Sequence, residues 1–211
     1  MKANTGLNMP ANSIISRADY ENYLIYLYFG PNADLTSCID RAYLDFSRTL
    51  HGFRKNEGDT YELAKSLLLN SFEVLRSTAR DEISVDVFDN WHERTCESLI
   101  SVFSNNGYCL FVGQAQKWVN MTMKYIFTVG EQRIPGFDPV YAYCHVPLDN
   151  ILLEKFKKYG FPRLNCAWSR LDKYDEYFER QKWVRQRFSL APMDVEFFLW
   201  SGKEISPEHV R

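Results

Sequence analysis

The feature that most restricts this chain is a helical spacing of its apolar residues, interrupted repeatedly by glycine, proline or polar turns. Tyr20, Tyr23, Leu24, Leu27 and Tyr28 keep that spacing until Gly30-Pro31, and Leu35, Ile39, Ala42, Tyr43 and Phe46 resume it. Asp59 with Glu62 has the form of a capping box and opens a third helix carrying Leu68, Phe72 and Leu75. A fourth carries Phe88, Trp91, Thr95, Leu99, Val102 and Phe103, and it stops at Asn105-Asn106-Gly107. After a short apolar link over 108–112, the spacing predicts a helix from Gly113 to about Val129. An irregular stretch with Pro135, Pro139 and Pro147 precedes helices over 148–159 and 169–188, and a short apolar end follows Pro192. Strand-like alternation is scarce and no internal repeat divides the chain. The expected architecture is therefore mainly α: one compact multi-helix domain over 17–211, behind a polar leader over 1–16.

Composition excludes several function classes. Twenty-five Lys and Arg against 27 Asp and Glu leave a net charge of −2, so any anion site must be local rather than a coat of positive charge. No run approaches the ~20 apolar residues that cross a bilayer, and the first sixteen residues lack the apolar core of a secretory signal. A soluble cytoplasmic protein without membrane contact is expected. Its five cysteines are widely spaced without C-x-x-C, and its four histidines form no metal-ligand pattern. Neither a disulfide scaffold, a metal site nor a cofactor is expected.

The most informative segment runs from Gly113 to Tyr125. At ~100° per residue, Gly113, Lys117, Asn120 and Lys124 share a stripe roughly 60° wide, and apolar residues fill much of the rest. Such a helix is mostly buried. Its polar stripe faces either a strip of solvent or a cleft, and two lysines would make a cleft attractive to anions. Downstream, His145 and Asp149 lie on an irregular connection. Asp149 suits the N-cap of the next helix or a catalytic carboxylate, and His145 suits a structural role or acid/base work.

The spacing G-x-A-x-K-x-x-N at Gly113, Ala115, Lys117 and Asn120 resembles the hairpin and second helix of helix-hairpin-helix DNA glycosylases. Val146-Pro147-Leu148-Asp149 resembles the segment carrying the aspartate of the family's 8-oxoguanine glycosylase branch. The G-x-A-Q-K and H-x-P-x-D elements also resemble bacterial proteins of unassigned activity, which implies a bacterial source. The glycosylase resemblance implies that Lys117 attacks the sugar C1′ and forms a Schiff base, while Asp149 steadies developing positive charge and assists proton transfer. It also implies that Gly113 belongs to a hairpin gripping a DNA phosphate. The residue types suit that chemistry in themselves, since an amine freed of its proton is a competent nucleophile beside a carboxylate.

Between Lys155 and Arg187, ten basic residues stand against four acidic ones, with Trp168, Tyr174, Tyr177 and Trp183 interleaved. Lys157, Lys158, Arg163, Arg170 and Trp168 would bind nucleic acid through charge and stacking; otherwise the stretch is a solvated amphipathic helix. The expected function is a DNA glycosylase or lyase acting on a damaged or unusual base, with DNA as partner. The alternative is a non-catalytic helical module that binds a protein or a nucleotide-like anion.

Overall fold

The computed structural model describes residues 14–56, 58–81 and 83–211. Most of the expected leader lies outside the described residues, and Ser16 begins the first helix. Its hydroxyl accepts from the Asp19 N–H while its own N–H donates to the Asp19 carboxylate at 2.7 Å, closing a capping box for α1 (Arg17–Phe29). The apolar face of α1 stays largely open: Tyr23, Leu24 and Leu27 are exposed and only Phe29 is buried. Asp34 caps α2 (Leu35–Phe46) by accepting from the Ser37 N–H at 2.8 Å. This helix buries Leu35, Cys38, Ile39, Ala42, Tyr43 and Phe46, an unbroken apolar stripe at helical spacing.

Two long helices follow, α3 (Thr60–Asp81) and α4 (Val85–Asn105), the second capped by Ser84. They pack on each other. The Trp91 indole N–H reaches across to the Ser71 carbonyl at 2.9 Å. Next comes α5 (Val112–Val129), in which every residue from Val112 to Ile126 is buried. Gly130, at φ 93°, ends it in a backbone conformation that L side chains rarely adopt.

The remaining helices are α6 (Asn150–Phe156), α7 (Tyr174–Arg187) and α8 (Pro192–Trp200). Among the described residues the regular structure is helical, joined by short 3-10 turns, with one isolated antiparallel bridge between Phe188 and Val210. No described helix is long and apolar enough to cross a membrane.

Two apolar clusters account for the burial of α5. One joins α2, α3, α4 and most of α5 around Trp118, whose indole N–H donates to the Ile39 carbonyl at 3.0 Å. The other joins Val112, Val146, Leu148, Leu152, Phe156 and Tyr177 with α8. The polar residues of α5 lie buried between these bodies. Where the sequence predicts a helix from Ser169, residues 168–170 form a 3-10 turn and α7 begins at Tyr174. The reason is local: the Leu171 carbonyl accepts from the Gly113 N–H at 2.9 Å, and this draws 168–171 onto the start of α5.

Candidate active site

A cavity of about 610 Å³ opens between α1, α5 and α8, within the range of small-molecule sites. Lys117 and Lys124 reach its wall from α5, Asp45 and Arg48 from α2 and the turn after it, and Asp149 from the start of α6. Phe29, Tyr125, Trp168, Phe197 and Trp200 supply aromatic walls.

The structure brings Lys117 and Asp149 together across 32 residues of sequence: Nζ lies 2.6 Å from Oδ2. Their side chains are only 5% and 14% exposed, so the pair is largely removed from water while still touching the cavity. Asp149 does both jobs open to it. Its Oδ1 accepts from the Leu152 N–H at 2.8 Å and caps α6, while Oδ2 holds the lysine.

About two turns further along α5, Lys124 donates to Glu196 Oε1 at 2.6 Å, with side chains 8% and 1% exposed. Burial pushes the Glu196 carboxyl above the usual range, and the nearby lysine opposes it. Buried charges of this kind are tolerated only when paired. Asp149 holds Lys117 and Glu196 holds Lys124, so the two lysines are not a free anion clamp.

The segment that carries Asp149 is fastened by three amide side chains. Gln116 accepts from the Leu148 N–H at 3.2 Å and donates to its carbonyl at 2.9 Å. Gln181 pairs in the same way with Val146, at 3.0 Å for each bond, and Asn120 adds a bond to the Val146 carbonyl at 3.3 Å. A backbone with no ladder of its own is thereby satisfied and held at one height beside Lys117.

Asn120 and His145 do not line the cavity. Asn120 bonds to His92 and Tyr177, and His145 bonds to Tyr177 at 2.9 Å and to Asp89 at 2.8 Å. Arg185 grips Asp89 with two bonds of 2.7 Å, completing a polar network between α4, α5 and α7. Burial pushes His145 down to about 4, and His92 well below the ordinary histidine value. Although burial opposes it, hydrogen bonds from His145 and Arg185 hold Asp89 down at about 2.

Gly113 is explained by packing. A Cβ there would stand 1.7 Å from the Trp168 carbonyl oxygen, and its N–H is spent on Leu171 rather than offered to a phosphate. Trp168 is buried and lines the cavity. Lys157 pairs with Glu154, and Lys158 with Glu204 at 3.1 Å. Arg163 and Arg170 are exposed outside the cavity, the latter above the Phe111 ring. Of the aromatics in that stretch Tyr177 is fully buried, and Trp183 packs on Phe156 and Phe161.

No family model, curated protein or solved structure matches the chain. The reading of the site therefore rests on its own geometry. Among the described residues, no three His, Cys, Asp or Glu side chains gather closely enough to hold a metal ion. Sequence reasoning missed Asp45, Glu196 and the aromatic walls other than Trp168. Asp45 sits beside Phe46 at the edge of the α2 stripe and reads like any exposed helix carboxylate, so little in the sequence signals its place.

Proposed function

We propose that the chain is a DNA glycosylase-type enzyme in which Lys117 is the nucleophile and Asp149 its proton partner. The observation that carries the reading is the 2.6 Å contact between Lys117 Nζ and Asp149 Oδ2 at the wall of an aromatic-lined cavity. An ammonium cannot attack carbon until it has lost a proton, and a carboxylate within hydrogen-bond reach is the acceptor that such an attack requires. Attack on C1′ of a nucleoside breaks the bond to the base. Asp149, now protonated, can then give its proton to the ring oxygen as the sugar opens and the imine forms.

The cavity suits an extruded nucleobase better than a phosphate. Both of its lysines are already paired with carboxylates, so a polyanion gains little by entering, whereas the rings of Trp168, Tyr125 and Phe197 line it and suit a flat aromatic base. In this reading phosphates stay outside, near Lys157, Lys158, Arg163 and Arg170. Binding through such exposed charges weakens steeply as salt rises.

Borohydride reduction tests the proposal. It should fix a covalent adduct between the wild-type protein and a duplex containing an abasic site, and Lys117→Gln should abolish the adduct with the fold intact. Absence of any adduct from folded wild-type protein, on abasic DNA and across a panel of base lesions, would overturn the reading.

A further inference from the structure

A second carboxyl group faces the same cavity. Asp45, on α2, lines it together with Lys117 and Asp149. Tyr125 donates to Asp45 Oδ2 at 2.7 Å, and the Tyr28 hydroxyl lies 3.2 Å from that of Tyr125, so a tyrosine pair holds the carboxyl at the wall. Burial pushes Asp45 above the usual carboxylate range, outweighing the Tyr125 bond and the nearby Lys117, Arg41 and Lys124.

The two aspartates thus have unlike partners. Asp149 accepts from an ammonium on one oxygen and from a helix N–H on the other. Among the described residues Asp45 forms no ion pair, and although its phenol donor favours the carboxylate, burial in the wall outweighs that donor and makes the neutral acid less costly. Carboxyl groups placed so differently in one site are suited to opposite proton roles.

We propose that Asp45 is the acid that protonates the departing base, and that it lets this site release uncharged bases, which leave poorly as anions. This rests on the glycosylase reading above. Lys117 gives its proton to Asp149, and the neutral amine forms a bond to C1′ as the C1′–N bond breaks. The electron pair of that bond goes to the base nitrogen, which takes the proton of Asp45. The ammonium now joining Lys117 to the sugar returns a proton to Asp45, restoring the acid before the ring opens. A base that already carries positive charge, such as 7-methylguanine, leaves neutral and does not need this proton.

Three duplexes separate the roles: one with 8-oxoguanine, one with 7-methylguanine and one with an abasic site. Wild type should release both bases and give a borohydride adduct with all three. Asp45→Asn should slow release of 8-oxoguanine by ~10²-fold or more, the range of general acid catalysis. It should slow release of 7-methylguanine and trapping on the abasic duplex far less, because no uncharged base departs there. Equal losses on all three would mean that Asp45 only supports the fold of the site, and an unchanged 8-oxoguanine rate would remove it as the acid. Wild type that traps the abasic duplex yet releases no 8-oxoguanine would overturn the Asp45 proposal and leave Lys117 in place. Wild type that traps nothing would overturn the glycosylase reading and this proposal with it.

Discussion

Replacing Gly113 with alanine separates packing from phosphate binding. The residue lies in the first turn of α5 with a helical backbone, so propensity alone predicts a gain of ~1 kcal/mol. The added Cβ, however, would stand 1.7 Å from the Trp168 oxygen and 2.8 Å from its carbonyl carbon, and backbone atoms cannot rotate away. Either α5 or the 168–171 segment must retreat. Retreat breaks the 2.9 Å bond from the Gly113 N–H to the Leu171 carbonyl, a loss of ~1 kcal/mol. It also disturbs the buried side chains of Trp168 and Leu171, and overpacking of this kind costs ~1–3 kcal/mol. Set against the propensity gain, the net loss is ~2 kcal/mol, or roughly 4–8 °C in Tm for a chain of this length. Urea and thermal unfolding followed by circular dichroism measure it. A variant as stable as wild type would refute the reasoning, and one that is equally stable but no longer binds DNA would restore Gly113 to a phosphate-gripping role.

The buried pair of Lys124 and Glu196 predicts that Lys124→Met alone loses about 3–5 kcal/mol in urea unfolding, because a carboxylate is left buried without its cation. Adding Glu196→Leu should recover most of that loss. Burial keeps His145 and His92 neutral in the folded protein, whereas the unfolded chain protonates them below about 6.5, so stability falls as pH drops from there toward 4. His145→Gln should flatten that slope by about 3 kcal/mol at most in urea titrations across this window, and an unchanged slope would contradict the assignment. Gln116→Leu strips both partners from Leu148, and should lower stability by ~2 kcal/mol and slow borohydride trapping as Asp149 drifts from Lys117. Trapping at the wild-type rate would show that the amide fastening does not position Asp149.

The helices were legible because burial on one face leaves a period in the sequence: α2 and α4 follow from their apolar spacing, and the structure adds the Asp34 and Ser84 caps. The run from Gly113 also reads as mostly buried. What the period cannot say is which buried polar groups meet. Asn120 shares its stripe with Lys117, yet the two diverge, Asn120 to His92 and Tyr177 and Lys117 to Asp149. A few tens of degrees around the helix divide the polar network from the cavity. The meeting of Lys117 with Asp149 was suggested by the order of two short motifs and not by any spacing rule, since the irregular chain from Gly130 to Asp149 carries no register of its own. The faces of the basic stretch over 155–187 were unreadable for a related reason: charge counted along the chain ignores the face, and Tyr177 and Trp168 turn inward while Lys157 and Lys158 meet Glu154 and Glu204. The open face of α1 was unreadable too, because its apolar spacing matches that of a buried helix.

The central claim is that Lys117 is the atom donor in covalent chemistry, and locating the reduced adduct tests it most directly. After borohydride reduction with an abasic duplex, proteolysis and mass spectrometry should place the added sugar fragment on the peptide containing Lys117, and fragmentation should place it on that residue. Lys124, about two turns along α5 and held by Glu196, should carry none. A sugar fragment on Lys124, on the exposed Lys157 or Lys158, or spread among surface lysines would contradict the account.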